Sequence, residues 1–284
     1  MKERDLFPNR TDIAERHGAV IDGDRTSRTK AVLAVAIVLA FAILAIFRLE
    51  FSFAGLANGT AQLMTFVGLM VPPDPGGKAM IFLKALGETV AISFLGTLLA
   101  ALIAFPLGFL AARGVVRGWV LRALTRRFSD SLRGVDTLIW ALIWINVVGL
   151  GPFAGVLAIM TSDVGAFTKL FSEAIEAADP RPSEGVLSTG GTRLHEVRFG
   201  LLPQVLPVFL SQVLYYFESN TRSATIIGIV GAGGIGLHLA EMIRTFEWDR
   251  VSFIILIVLA AVAVIDFVST RIRLAMIGDK ASQK

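Results

Sequence analysis

Gly231, Gly233 and Gly236 spell G-x-G-x-x-G within the stretch GIVGAGGIG, residues 228–236. Residues 224–230 before it read like a strand, and residues 237–243 after it read like a helix. A turn of this kind can cradle the pyrophosphate of a dinucleotide on its backbone N–H groups. Other groups able to do chemistry are few. The chain has no cysteine, which removes thiol nucleophiles, disulfides and cysteine metal sites. His17, His195 and His238 are far apart and lack ligand-like spacing, so no metal site is expected. Glu218 and Arg222 stand four apart in the favourable acid-first order, with Asn220 and Ser223 close by. No cluster of acids, histidines or a nucleophile suggests an enzyme.

The elements that would position these groups argue against a soluble oxidoreductase. Hydrophobic residues make up 54% of the 284 and charged residues 18%, against roughly 25% charged in an ordinary globular domain. Residues 31–47 are apolar without a break, and residues 89–112, 137–162, 199–217 and 251–265 contain no Asp, Glu, Lys, Arg or His. A bilayer core of about 30 Å needs about 20 helical residues, and buried helices of soluble proteins rarely stay uncharged on every face for so long. The chain therefore reads as an all-α integral membrane protein. A dinucleotide fold needs more strands and helices around its fingerprint, so no cofactor is expected and the glycines must serve another purpose.

Six spans are predicted, at about 29–49, 81–112, 137–148, 153–171, 204–228 and 251–270. No A-x-A pattern follows the first, which reads as a retained anchor rather than a cleaved signal. Pro106 is expected to kink the second, and the GLGP at 149–152 to turn tightly between the third and fourth. Lys and Arg number 21 in segments 1–30, 113–133, 169–203 and 271–284, against four in the intervening loops. The positive-inside rule then puts both termini in the cytoplasm. The arginines of 113–133 read as topology signals and contacts to anionic lipid. The basic balance does not imply nucleic acid, because no aromatic–basic interleaving is present.

The segment between the fourth and fifth spans, EAIEAADPRPSEGVLSTGGTRLHEVRFGLLP at 173–203, is dense in helix punctuation. Asp179-Pro180 and Pro182 are expected to end the incoming helix. Ser183 is the expected N-cap of a new short helix, with Glu184 at its positive end. Gly190-Gly191 should stop that helix with a left-handed cap. Thr192 should cap the next, in which Leu194, Val197 and Leu201 recur at three- and four-residue spacing. Pro203 suits the first turn of the fifth span. A helix–turn–helix on a cytoplasmic face is suited to contact with another protein.

This segment resembles the EAA loop of permeases in binding-protein-dependent ABC importers, whose pattern is E-A-A, three residues, G, nine residues, I-x-L-P. Glu184, Gly190 and Leu202-Pro203 fall on its fixed positions. Gly185 and Val186 stand where the pattern has two alanines, and Gly200 where it has isoleucine. Together with EAIEAADP, GLLPQVLP, FESNTRSATIIGIVGAGGIG and FEWDRVSFIILI, the similarity extends over about residues 81–277. It is strongest to permeases of phosphonate ABC importers. The resemblance implies a MetI-like permease core at 81–274, here with an extra N-terminal helix, and a coupling loop at 183–203. Tails at 1–28 and 275–284 would be cytoplasmic. It implies a bacterial inner-membrane homodimer with two cytoplasmic ATPase subunits, an external binding protein and lipid as partners, and no nucleic acid. The chain carries no G-x-x-x-x-G-K-[ST], so a partner must hydrolyse ATP.

The resemblance assigns coupling to Glu184, Gly190, Gly191, Arg193, Leu202 and Pro203. Gly231, Gly233 and Gly234 fall at the external end of the fifth span, as a packing turn or as part of a gate. Glu218, Asn220 and Arg222 either pack that span against a neighbour or line the translocation path. Lys84, Glu88, Asp163 and Asp266 are placed near span ends, where snorkelling or interfacial water would solvate them. The expected cargo is a phosphonate or related small phosphorus oxyanion. Phosphate, an amino acid or an ion-coupled transporter are the alternatives; the last often carries internal repeats, which are not evident here.

Overall fold

The computed structural model describes residues 25–49, 53–116 and 118–281, and all the regular structure within them is helical. Most of the expected tail 1–28, the last three residues and Arg117 lie outside the described residues. The chain divides into two units at Val67/Gly68. The first holds α1 (Arg25–Arg48) and most of α2 (Phe53–Leu69). Helix α2 falls where the sequence predicts only a connection.

The second unit begins with α3 (Ala79–Ala111), α4 (Trp119–Arg133), α5 (Thr137–Val148) and α6 (Pro152–Glu176). Then come α7 (Pro180–Ser188), α8 (Arg193–His195) and a π-helical turn, Glu196–Leu201. The chain continues as α9 (Leu202–Ile229), α10 (Ile235–Arg244) and α11 (Trp248–Ala281). Helix α3 runs on through Pro106. Gly149 and Gly151 take φ of 91° and 131°, making the expected tight turn into Pro152 at the start of α6.

Among the described residues, five helices are long and apolar enough to cross a membrane, or six if α4 and α5, bent by 87° at their junction, count as one broken span. The 12 residues of α5 reach only about 18 Å, too short to cross alone. Segment 113–133, expected as a loop, is largely α4, and it lies along the second half of α6. Arg126 at its middle pairs with Glu176, the last residue of α6. Near its end, a Cβ on Gly165 would stand 2.9 Å from Arg133 N and 2.5 Å from Ser129 O. Arg133 therefore lies near half-way along α6, not in a loop beyond its end.

Helix α6 is the centre of the unit. Lipid offers no hydrophobic drive between helices, so small residues that permit close approach decide the packing. Gly96 and Gly108 of α3 do this: a Cβ on them would meet Ile159 Cβ at 2.8 Å and Phe171 Cβ at 2.7 Å. Phe171 stacks on Phe209 of α9 with ring centroids 4.1 Å apart. A second cluster joins Ile92, Ala158, Ile159, Ile227 and Ala232, and a third joins Phe82, Ile235, Met242 and Ile254.

Candidate coupling loop and transmembrane cavity

The loop 173–203 forms the expected helix–turn–helix, with one boundary moved. Asp179, not Ser183, caps α7: its carboxylate accepts from Arg181 N at 3.0 Å. Pro180 opens α7 rather than closing α6, which ends at Glu176. Proline fits there because its missing N–H would have had no partner in a first turn. Ser183 and Glu184 thus lie inside α7, and Glu184 is exposed.

The C-terminus of α7 follows the expected design. Gly190 has φ of 83°. Its N–H donates to Leu187 O at 3.0 Å, and Gly191 N–H donates to Val186 O at 3.2 Å. These are the 5→2 and 6→1 bonds of a Schellman cap. Thr192 then caps α8, with its N–H donating to His195 Nδ1 at 3.3 Å. Arg193 pairs with Glu196 at 3.2 Å. Leu202 and Pro203 form the first turn of α9, as expected. Leu194 is not turned inward: it is 74% exposed, and with Leu187 and Phe199 it leaves apolar surface on the loop.

Two features of the loop were not visible in the sequence. Gly200 is buried, and a Cβ there would stand 2.7 Å from Ser183 Cα. Its lack of a side chain lets the π-helical turn lie directly on α7. Gln204 then ties the pieces together. Its Oε1 accepts from Asp179 N at 3.2 Å, while its Nε2 donates to Asp179 O at 3.1 Å and Gly200 O at 2.7 Å.

Within the span region, Asp163 does not lie near a helix end. It is mid-way along α6 and 4% exposed. Asn220 of α9, 6% exposed, donates from Nδ2 to Asp163 Oδ2 and to Thr97 Oγ1 of α3, the latter at 2.8 Å. Ser93 and Thr221 add a hydroxyl contact of 3.2 Å alongside. A buried polar group needs a partner, and here the partners come from three helices. Ionisable residues at such depth usually face a bundle interior or a water-filled cavity. Asp163 and Asn220 do line a cavity of about 560 Å³, with Arg133, Thr137, Ser162, Tyr216, Ser219 and Ser223.

Tyr216, Ser219, Asn220 and Ser223 share one face of α9. At about 100° per residue, Glu218 and Arg222 fall on the opposite face. They form the expected i,i+4 pair at 3.0 Å, with side chains 12% and 51% exposed. Asn220 is therefore brought to the cavity and the Glu218–Arg222 pair is not.

The glycine turn is a tightly packed junction. Gly231, Gly233 and Gly234 have φ of 106°, 86° and 73°. Gly151 N donates to Gly231 O at 3.0 Å, hooking this turn to the one before α6. Glu88, expected near a span end in contact with solvent, accepts from Gly234 N at 2.8 Å, and Thr89 Oγ1 accepts from Ile235 N at 2.8 Å. These side chains satisfy N–H groups at the start of α10 that have no partner within the helix. The three glycines also line a separate cavity of about 490 Å³ with Glu88, His238 and Arg244.

Comparison with known proteins agrees with this architecture. Residues 104–277 match the model for "Binding-protein-dependent transport system inner membrane component". HtxC of Stutzerimonas stutzeri, whose name points to phosphite transport, is 38% identical over 92% of this chain and 93% of its own. PhnE2 of Escherichia coli K12, named for a cryptic phosphonate transport system, is 46% identical over 41% of this chain and 96% of its own. Among solved structures, an inward-facing MetNI methionine ABC transporter matches with a TM-score of 0.62. The match covers 70% of this chain and 97% of that one at 18% identity, and so shows a shared fold. The chain belongs to the family of inner-membrane permease components of binding-protein-dependent transport systems, and is a multi-pass membrane protein with the MetI-like fold.

Proposed function

We propose that this permease carries phosphite, phosphonate or a related small phosphorus oxyanion inward, driven by ATP hydrolysis on separate subunits. The names of its relatives support that cargo class. The observation that carries the coupling role is the loop itself. It is a doubly capped helix–turn–helix, tied to α9 through Gln204, with Leu187, Leu194 and Phe199 exposed. Glu184, Gly190, Gly191 and Arg193 shape the surface that meets the ATPase, and Leu202-Pro203 passes its motion to α9. Two copies of the chain, two ATPases and an external binding protein make up the working importer, surrounded by lipid.

In this reading α4 and α5 count as one broken span, which gives six with the N-terminal helix and leaves both termini in the cytoplasm. Asn220 lines the path. Glu218 and Arg222, with Gly231, Gly233 and Gly234, form its external gate where two copies meet. Family membership removes the ion-coupled alternative. The test is ATP-dependent uptake of labelled phosphite and methylphosphonate by the reconstituted importer, with phosphate and methionine as competitors. Uptake of phosphate or methionine with no uptake of either proposed cargo would overturn the assignment.

A further inference from the structure

The cavity that holds Asn220 does not end at mid-membrane. It shares Asp130 and Arg133 with a second concavity of about 200 Å³, between α4 and α6. That one shares Arg126 and Asp130 with a third of about 440 Å³, at the start of α4. The three therefore run in sequence along one helix, from the middle of α6 to its Glu176 end. Arg122, Arg126 and Arg133 fall within an arc of about 40° on α4 at about 100° per residue. All three line this series, one or more to each concavity. Arg113, Arg127 and Lys169 add to it, while the acids lining it are Asp130, Asp163 and Glu173. The balance is six basic against three acidic side chains.

The opposite side of α4 is different in kind. Val120, Leu121, Leu124 and Phe128 are exposed apolar residues that suit lipid. The arginine stripe thus lies along the concavities and away from the apolar face. Among the described residues Arg133 pairs only with Asp130, at 3.2 Å, and guanidinium has five donors, so donors remain for an incoming oxyanion. Ser129 Oγ, in a residue 2% exposed, lines the middle concavity and has no hydrogen-bond partner among the described residues.

We infer that the basic face of α4 is the oxyanion's exit route, a series of guanidinium groups leading from the mid-membrane cavity to the cytoplasmic end. This deepens the oxyanion-importer reading and rests on it. Successive cations let a small anion move by exchange between neighbours, with no single site deep enough to trap it. A phosphate-bearing lipid headgroup has the same chemistry and is the competing occupant.

The test uses the full importer in nanodiscs, open to reagent from the cytoplasmic side, and a Ser219→Cys variant of a chain that has no cysteine of its own. Anionic and cationic methanethiosulfonates are compared, each rate normalised to that with free cysteine. Focusing by the cations should favour the anionic reagent by about tenfold. The ratio should fall to about one in an Arg122→Gln/Arg133→Gln background and be retained in Arg122→Lys/Arg133→Lys. Arg126 is left alone because it is pinned to Glu176 and to Ala111 O. If the Ser219 variant does not assemble, Ala123→Cys, in the outermost concavity, is the second reporter.

Equal normalised rates with the native arginines would overturn the route. A preference present in phosphatidylcholine discs and abolished by phosphatidylglycerol would overturn it too, by assigning the face to lipid. Labelling needs no cargo. A wild-type importer that takes up neither phosphite nor methylphosphonate would sink the cargo reading and leave the charge preference measurable on its own.

Discussion

Gly185 and Gly200 both stand where the loop pattern of related permeases has larger residues, and restoring those residues should give opposite results. A Cβ on Gly185 would meet nothing within 4 Å. Gly185→Ala should therefore stabilise α7 by about 0.5–1 kcal/mol, through reduced backbone entropy in the unfolded chain. Gly200→Ile is another matter. Its Cβ would lie 2.7 Å from Ser183 Cα and 3.0 Å from Ser183 N, where ordinary contact begins at 3.4 Å. These are backbone atoms, so α7 as a whole must retreat. Overpacking of this kind costs about 1–3 kcal/mol. Retreat also strains the Gln204 bonds to Asp179 and Gly200, worth about 0.5–1.5 kcal/mol each. A total of about 2–6 kcal/mol shifts the equilibrium between native and displaced loop about 30-fold or more towards displacement. In the reconstituted importer, ATP hydrolysis stimulated by the binding protein should fall at least about tenfold in Gly200→Ile, by this arithmetic. Membrane abundance should hold, because the core around α6 is untouched. Gly185→Ala should match the wild type in both respects. Wild-type coupling in Gly200→Ile at normal abundance would refute the claim that the loop depends on this close approach.

Asn220→Leu leaves the Asp163 carboxylate without its amide donor, at a cost of about 1–3 kcal/mol. A lowered thermal midpoint in detergent should follow, and an unchanged midpoint would remove Asn220 from the fastening role. Arg222→Ala should reduce uptake more than abundance, with Arg222→Lys restoring part of it, because ammonium keeps the charge and loses the planar fork. Normal uptake by Glu218→Gln with Arg222→Met would return that pair to scaffold. For topology, Ser188→Cys should react with an impermeant thiol reagent only after permeabilisation, and Asp74→Cys and Thr245→Cys in intact cells. Labelling of Ser188→Cys in intact cells would overturn the coupling argument.

Much of the loop was legible because its signals are local. Gly190 stops a helix, Thr192 starts one and Pro203 opens another, each through groups a few residues apart. The misplaced start of α7 came from a conflict between two local rules. Asp179-Pro180 both discourages continuation of a helix and offers the N-cap and first residue of a new one, and the second tendency won. Helix α4 was hidden by its arginines, which read as a loop when counted for charge. Its exposed Val120, Leu124 and Phe128, four apart, carried the helical signal. The pairing of Glu88 and Thr89 with the start of α10, 146 residues on, leaves no trace in local pattern. Nor does the convergence of Thr97, Asp163 and Asn220, which come from three helices, with Asn220 lying 123 and 57 residues from its two partners.

Gln204 joins the candidate coupling loop to the long helix behind it in a way that would let the two act as a lever. Its one amide grips Asp179 from both sides and Gly200 as well, so little slack separates α7 from the first turn of α9. Helix α9 has 28 residues, an arm of about 42 Å. A tilt of about 5° at its base swings the far end by roughly 4 Å, on the scale of a helical turn. That far end meets the glycine turn, hooked by Gly231 to the chain entering α6. A small stroke applied at α7 is thus magnified along α9, and at its tip it must be taken up by the turn that joins α9 to α10 or by the hook to α6.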